Sequence, residues 1–253
     1  MSTLYMKGEP EAISKYVIFS GDPWRVTIFE SILDSYRKVA FAREFNTITG
    51  IYKGVRVTAT STGIGAPSAA IAMEEMFECG MEVAIRMGTV MALDSRMVGK
   101  FLIPLGSVRR ESTSDHYAEK GYPAIADFDL VQILNEAVRA QGYKPVNGIH
   151  STLDGYYMDM KQSRYSKSRG ISPEKTMQEL AEINILGVDM ESSAMLVIGR
   201  LMGVRTAVIT LATVSKNLET ALLEKERTEM ERALCIITLE AIAAFDRRVR
   251  GEQ

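Results

Sequence analysis

Residues 82–88 read EVAIRMG, an apolar run that reaches Arg86 and then turns through Gly88 and Thr89. A run that is apolar on both faces indicates a buried strand of a parallel sheet. Further short runs of similar character are YVIFS at 16–20, VRVTATS at 55–61, KFLIPLGSV at 100–108 and VRTAVITLA at 204–212. These runs predict the strands of a sheet at the centre of the chain.

Helical patterns lie between and after these strands. PSAAIAMEEMFECG at 67–80 has an early Pro and a terminal Gly, and DFDLVQILNEAVRAQG at 127–142 opens with capping acids. From Thr220 to Arg250 apolar residues recur at intervals of three and four, which predicts a long packed helix. Strands that alternate with helices indicate a layered α/β domain, and no linker or repeat supports a boundary within residues 1–253.

The composition argues against several classes of function. Lys and Arg number 30 against 32 Asp and Glu, so the chain lacks the positive excess typical of proteins that bind nucleic acid or anionic membranes. Its two cysteines and two histidines argue against a disulfide framework and a His-rich metal site. We expect no signal peptide and no membrane span, and therefore a cytoplasmic protein.

Two motifs place an arginine where a strand ends. SGDPWR at 20–25 joins Gly21, a Pro-fixed turn and Arg25, and it is either an anion-binding turn or an ordinary strand-ending turn. Arg86 ends an apolar strand with the hydroxyl of Thr89 nearby in sequence. Because a buried charge is unfavourable unless it is paired, Arg86 belongs either to an oxyanion site or to a salt bridge.

Two further motifs lie where a helix begins. STGIGAPS at 61–68 resembles a dinucleotide fingerprint only superficially, since Ser68 replaces the third Gly, and a tight strand-to-helix turn explains Gly63 and Gly65 better. GVDMESSAMLVIG at 187–199 puts Asp189 and Glu191 at the entry to an apolar helix. These acids either cap the helix or direct a carboxylate into a pocket, where it would accept bonds from sugar hydroxyls.

The stretch MDMKQSRY at 158–165 is polar and follows the aromatic pair Tyr156 and Tyr157. By itself it is either a solvated surface loop or a ligand-binding segment, because loops rich in Gln, Arg and Ser serve both purposes.

Taken in order, GDPWRV, AREF at 42–45, STGIGAPS, IRMGT, SVRRESTSDHYAEKGYPAIADF at 107–128, QSRY and DMESSA resemble the uridine phosphorylase branch of the nucleoside phosphorylase family. The resemblance covers nearly the whole chain. It implies a single-domain, three-layer α/β/α fold with a central mixed, mostly parallel sheet. It also implies phosphorolysis in pyrimidine salvage, in which inorganic phosphate attacks the anomeric carbon of uridine and gives ribose 1-phosphate and uracil, with no cofactor beyond phosphate as co-substrate.

The resemblance gives each motif a role. It implies that phosphate is bound by Gly21, Arg25, Arg43, Arg86 and Thr89. Ribose-binding positions are Thr89, Met190 and Glu191, and base-binding positions are Tyr156, Gln162, Arg164 and Lys216. The residues expected to act in catalysis are Arg86, Glu191 and Arg164.

The resemblance also implies partners. Arg43 is expected to reach into the site of a neighbouring subunit, so the protein would be a homodimer or a hexamer of dimers. Glu44, Ile64 and Ser68 match positions that hold a monovalent cation such as K⁺ at that interface in some relatives, whereas no metal is expected for catalysis. The substrates are a nucleoside and phosphate, with no nucleic-acid or membrane partner.

The chain departs from the family pattern at several positions. Val90 and Met91 replace smaller residues, and Tyr5 is the stand-in for an N-terminal His. Purine-specific relatives carry a late Asp that protonates the purine, whereas this region has Lys216, where uridine phosphorylases usually have Arg. The alternatives are a purine or broad-specificity nucleoside phosphorylase and a non-catalytic nucleoside-binding homologue.

Overall fold

A nine-stranded sheet runs through the computed structural model, which describes residues 1–251 except the side chain of Asn217. Residues 252 and 253 of the predicted 1–253 domain lie outside the described residues. The strands are β1 Tyr16–Ser20, β2 Ser35–Ala42, β3 Phe45–Tyr52, β4 Val55–Ser61, β5 Val83–Ala92, β6 Phe101–Arg110, β7 Val146–Leu153, β8 Ile185–Asp189 and β9 Arg205–Ser215. The runs predicted as strands are β1, β4, β5, β6 and β9, so these strands are confirmed. The predicted end of β5 is wrong, because the strand continues through Arg86, Gly88 and Thr89 to Ala92.

The strand order is β2-β3-β4-β1-β5-β8-β7-β6-β9, with β5 at the centre. Parallel ladders join β1 to β4 and β5, β5 to β9, and β7 to β6 and β8. Antiparallel ladders join β2 to β3, β3 to β4, β5 to β8 and β6 to β9. The predicted mixed, mostly parallel sheet is therefore confirmed. Because β9 pairs with both β5 and β6, one end of the sheet closes on itself.

Helices cover the sheet. The α-helices are α1 Pro23–Val26, α2 Ala66–Glu78, α3 Phe128–Ala140, α4 Arg164–Ser168, α5 Pro173–Glu182, α6 Ser192–Leu201 and α7 Glu224–Arg250. A single π-helical turn occupies Tyr156–Met160, and short 3-10 turns occupy Pro10–Ala12, Thr27–Ser31, Ser95–Met97, Thr113–His116 and Lys216–Leu218. Within the described residues, no helix is both long and apolar enough to cross a membrane.

Two apolar clusters on opposite faces of the sheet make the fold three-layered. Ile18 of β1 packs into a cluster with α3 and α7, whereas its neighbours Val17 and Phe19 pack into a cluster with α2 and α6. Successive side chains of a strand point to opposite faces, so both faces of β1 are buried under helices. The predicted α/β/α architecture is therefore confirmed.

The parallel strands β1, β4 and β5 bring their carboxyl ends together. Ser20 lies opposite Ser61 in one ladder and opposite Met87 in the other. The turns that follow β1 and β4 are therefore adjacent to the second half of β5. In open α/β sheets this edge is where ligands bind.

Candidate active site

A cavity of about 840 Å³ lies at this edge of the sheet. Its volume is within the range of pockets that bind small molecules. Of the residues expected at the site, those that line it are Gly21, Arg25, Ile64, Arg86, Thr89, Tyr156, Met190 and Glu191. Segments far apart in sequence thus contribute to one cavity, as the ends of adjacent strands should.

Arg86 is a deeply enclosed charge in the cavity lining, with only 2% of its surface exposed. Its Nε donates to Asp189 Oδ2 at 3.1 Å, and its Nη2 donates to Glu191 Oε2 at 2.5 Å. Among the described residues, Nη1 has no hydrogen-bond partner. Burial alone would lower the pKa of Arg86, but attraction to Glu191 and Asp189 raises it, so the guanidinium stays charged. It is salt-bridged and still has a free donor.

The two acids at the start of α6 have different tasks. Asp189 accepts from the backbone N–H of Ser192 at 3.2 Å and from the Thr152 hydroxyl at 2.9 Å, so it is the residue that caps the helix. Glu191 makes no capping bond to the described turns of α6. Its Oε1 instead accepts from the backbone N–H of Gly65 at 2.6 Å. The two interpretations of this motif therefore apply to different residues.

The pKa values of the two acids diverge. Burial by itself would raise the pKa of Asp189. Arg86 and the hydrogen bonds from Ser192 and Thr152 lower this pKa by more, so it lies below its ordinary value. Burial raises the pKa of Glu191, the charge of Asp189 adds to this rise, and Arg86 only partly opposes it. The negative charge of a neighbouring carboxylate raises the pKa of an acid that is also buried. Asp189 is thus the stronger acid of the two and Glu191 the weaker.

The glycine turn after β4 has the conformation expected from the sequence. Gly63 and Gly65 have φ values of +70° and +104°, which residues other than glycine rarely adopt. A Cβ on Gly63 would lie 2.8 Å from the Glu44 side chain, so the backbone also approaches closely there. The tight-turn interpretation is confirmed, and the turn presents the Gly65 N–H to Glu191.

Arg25 also lines the cavity and is 5% exposed. Its Nη1 donates to Ser20 Oγ at 3.2 Å and its Nη2 to Glu231 Oε1 at 3.0 Å. Its Nε is buried and has no partner within the described part of the chain. Arg25 and Arg86 therefore both line the cavity as buried guanidiniums, and each has one enclosed nitrogen without a partner among the described residues.

The segment after β7 supplies an apolar wall. Tyr156 and Tyr157 face the cavity with their rings in an edge-to-face pair at 5.0 Å. Other apolar residues of the wall are Val90, Met91, Met160, Val188 and Val214. Such a surface suits a flat, weakly polar group such as a base.

Three residues expected to contact a base are absent from the described cavity lining. Gln162 Nε2 donates to Ser166 Oγ at 2.7 Å and to the carbonyl of Ile171 at 3.0 Å, which ties it to α4. Arg164 is the exposed first residue of that helix. Lys216 Nζ donates to Gln178 Oε1 at 2.9 Å. The π-helical turn takes up the residues before Gln162 and directs QSRY away from the cavity.

Arg43 lies in the turn between β2 and β3, exposed and with φ of +56°. Its guanidinium is 5.3 Å from the centre of the Tyr5 ring. It does not belong to the described lining of this chain's own cavity. Of the positions expected to hold a monovalent cation, Ser68 Oγ donates to the Gly65 carbonyl at 3.1 Å, and Glu44 packs on Gly63.

Several functional candidates had no signal in the sequence. Arg227 lines the cavity from α7, and its Nε donates at 3.0 Å to the same Glu231 oxygen that binds Arg25. An Arg and a Glu four residues apart on a helix usually form only a surface pair. His150 of β7 is fully buried, and neither ring nitrogen has a partner among the described residues. Burial lowers its pKa to about 4, with Asp189 opposing and Arg86 reinforcing the shift.

Comparison with known proteins adds independent findings. The family model described as the phosphorylase superfamily matches residues 15–243. The chain is 33% identical to a uridine phosphorylase of Thermococcus kodakarensis over 79% of its length and 73% of that protein. It is 31% identical to a guanosine phosphorylase of Halorubrum lacusprofundi over 92% of its length and 95% of that protein. The crystal structure of uridine phosphorylase from Vibrio fischeri superposes with a TM-score of 0.85 at 30% identity, covering 96% of this chain and 98% of the other.

Proposed function

The chain belongs to the phosphorylase superfamily, and on that premise we propose that it cleaves uridine with inorganic phosphate to give uracil and ribose 1-phosphate. Its family, the nucleoside phosphorylases, is a family of pentosyltransferases. One observation carries the proposal, namely that Arg25, Arg86 and Glu191 converge on a single cavity. Two buried guanidiniums suit a multiply charged oxyanion, and a carboxylate beside them suits the hydroxyls of a sugar.

The reaction joins phosphate to the sugar and releases the base. A phosphate oxygen attacks the anomeric carbon, and the electron pair of the breaking C–N bond leaves with the base, which then takes up a proton. Arg25, Arg86, Thr89 and the backbone at Gly21 would hold phosphate against the sugar, which lowers the entropic barrier to attack. The presence of both guanidiniums in the lining of one cavity supports this role.

Glu191 has a second task in this scheme. With Arg86 engaged by phosphate, Glu191 Oε2 accepts from ribose hydroxyls while Oε1 keeps its bond to the Gly65 N–H. Its negative charge also stabilises the positive character that develops at the anomeric carbon as the glycosidic bond breaks. Met190 lines the cavity next to it and would pack against the sugar.

The base would lie against Tyr156 and the apolar wall. Uridine is favoured over purines because Lys216, a cation, stands where purine-specific relatives have a protonating acid. For Gln162 and Arg164 to read the uracil edge, the segment after the π-helical turn must move toward the cavity, since their side chains are turned away.

A second candidate is phosphorolysis of a purine nucleoside. It is favoured by the guanosine phosphorylase of Halorubrum lacusprofundi, whose similarity extends over 92% of this chain. The apolar cavity wall also fits a purine, because the described lining lacks Gln162 and Arg164, the residues expected to hydrogen-bond uracil.

The neighbouring subunit completes the site in this proposal. Arg43, which is exposed at a tight turn beside Tyr5, would enter the cavity of a second copy in a homodimer or a hexamer of dimers. The glycine turn after β4 would hold K⁺, because its carbonyl and hydroxyl oxygens suit such a cation. The residues at this turn are Glu44, Ile64 and Ser68.

An assay of base release from uridine, thymidine, guanosine and inosine, with and without phosphate, tests the function. We expect release of uracil only with phosphate, accompanied by ribose 1-phosphate. Cleavage of guanosine but not uridine would select the second candidate, binding without turnover would indicate a non-catalytic homologue, and phosphate-independent cleavage would indicate hydrolysis.

A pair of arginine variants sharpens this test. Arg86→Lys keeps the charge but loses the planar fork, and we expect kcat/KM to fall at least about tenfold. Arg96→Lys is the matched control, because Arg96 is exposed and pairs with Asp94 outside the described cavity lining.

A further inference from the structure

Resting on the proposed function, we propose that Glu231 of α7 is a positioning residue that holds the Arg25 guanidinium in place for phosphate. Glu231 is not part of the described cavity lining, so it acts through Arg25 and does not touch the substrate. Its side chain is 15% exposed, and that of Arg25 is 4% exposed. Both side chains are therefore largely buried, and a buried ion pair holds its two groups in position more strictly than an exposed one does.

Arg25 has few anchors. Within the described residues, its side-chain hydrogen bonds go to Ser20 Oγ at 3.2 Å and to Glu231 Oε1 at 3.0 Å. The Ser20 bond is long and neutral, whereas the bond to Glu231 is charge-assisted and thus the stronger of the two. Without Glu231 the guanidinium would be held by its aliphatic stem and one hydroxyl.

The position of Glu231 is fixed in turn by the helix. Glu231 lies on α7 one turn after Arg227, and Oε1 accepts from Arg227 Nε at 3.0 Å. Burial by itself would raise the pKa of Glu231. Arg25 and Arg227 lower this pKa by more, so the carboxylate stays ionised between two cations. Arg227 also lines the cavity, so one carboxylate of α7 binds two arginines of the cavity lining.

The test must separate position from charge. A carboxylate near a bound anion repels it, so removing Glu231 would tighten phosphate binding if charge alone mattered. Glu231→Asp keeps the charge and withdraws it by about 1.5 Å, one C–C bond. Glu231→Ala removes both the charge and the anchor, and Glu231→Gln keeps an acceptor at the same reach.

We expect Glu231→Asp and Glu231→Ala each to raise the calorimetric Kd for inorganic phosphate, measured without nucleoside, by about tenfold or more. The KM for phosphate should rise with it, while the KM for uridine stays within about twofold, and Glu231→Gln should lie closer to the unmutated protein than Glu231→Ala does. Glu240→Asp is the matched control, because Glu240 is a half-buried α7 carboxylate that binds Lys53 and Tyr52 away from the described cavity lining.

Unchanged or tighter phosphate binding by either Glu231→Asp or Glu231→Ala overturns the positioning role. If Glu231→Asp does not fold, the comparison of Gln with Ala gives the same decision. The proposed function fails separately: an unmutated protein that binds phosphate but does not cleave uridine refutes that function, and the phosphate Kd values still report on Glu231.

Discussion

His150 is expected to weaken the protein selectively at mildly acidic pH. Its ring is fully buried without a partner in the described residues, and burial lowers its pKa from 6.5 to about 4. Because the folded-state pKa lies below the unfolded one, the unfolded chain takes up the proton first as the pH falls. The stability associated with a neutral His150 is therefore complete above pH 6.5 and is lost progressively down to about pH 4.

The size of the effect follows from these two values. The difference between 6.5 and about 4 corresponds to about 3 kcal/mol of unfolding free energy when it is fully expressed. Between pH 7 and pH 5 the unfolded chain becomes almost fully protonated at this residue while the folded protein does not, so about 2 kcal/mol should be lost.

The perturbation is His150→Leu, which replaces an unpartnered ring with an apolar side chain of similar size. Urea unfolding at pH 7 and pH 5, at one protein concentration, gives the loss of free energy for each protein. We expect the unmutated protein to lose about 2 kcal/mol more than His150→Leu. The exposed His116, replaced by Gln, is the matched control for removal of an imidazole.

Equal losses in the unmutated protein and in His150→Leu would refute this reasoning. So would an NMR titration in which the buried imidazole protonates near pH 6.5.

Three further predictions concern the proposed reaction. Glu191→Gln should lower kcat by about 10²-fold or more, since it removes a charge used in the transition state, and steady-state kinetics with a kcat near the unmutated value would contradict that role. Arg43→Ala should raise the KM for phosphate with an unchanged melting temperature. An unaltered phosphate dependence would refute the hypothesis that Arg43 contributes to the site of a neighbouring subunit. Arg164→Ala should lower kcat/KM for uridine about tenfold at an unchanged KM for phosphate, because it removes a base contact. If kcat/KM stays constant instead, the base is recognised by Tyr156 and the apolar wall alone.

The apolar runs of β1 and β5 are plain in the sequence because both strands are buried along their whole length or nearly so. β2 is mostly exposed at the edge of the sheet, and β7 buries His150, Ser151 and Thr152 in place of apolar residues, so neither strand has a hydrophobic pattern and neither was predicted. β3 and β8 were not predicted either, although both are largely buried. The sequence of β3 mixes apolar residues with Asn and Thr, and β8 has a Gly at its centre, which is unfavourable in a strand.

The same distinction applies to the site. Arg25 follows β1, Arg86 lies within β5 and Glu191 precedes α6, so topology brings these sequence motifs together. Glu231 and Arg227 lie in the charged first turns of a long helix and look there like an ordinary pair four residues apart. The orientation of Gln162 depends on the π-helical turn before it, and such a turn cannot be read from residue types.

The two interpretations of Arg86, as half of a salt bridge and as an oxyanion site, are reconciled by the inequality of its two acids. A guanidinium this deeply buried needs a counter-ion when no anion is bound. Asp189 is held by Ser192 and Thr152 as well as by Arg86, and its pKa is lowered, so it has reason to stay. Glu191 has a raised pKa, and besides Arg86 its bonds among the described residues come from the backbone N–H groups of Gly65 and Met190. An incoming phosphate should therefore take the place of Glu191 on Arg86 and leave Asp189, and the carboxylate so released is the one that the sugar requires.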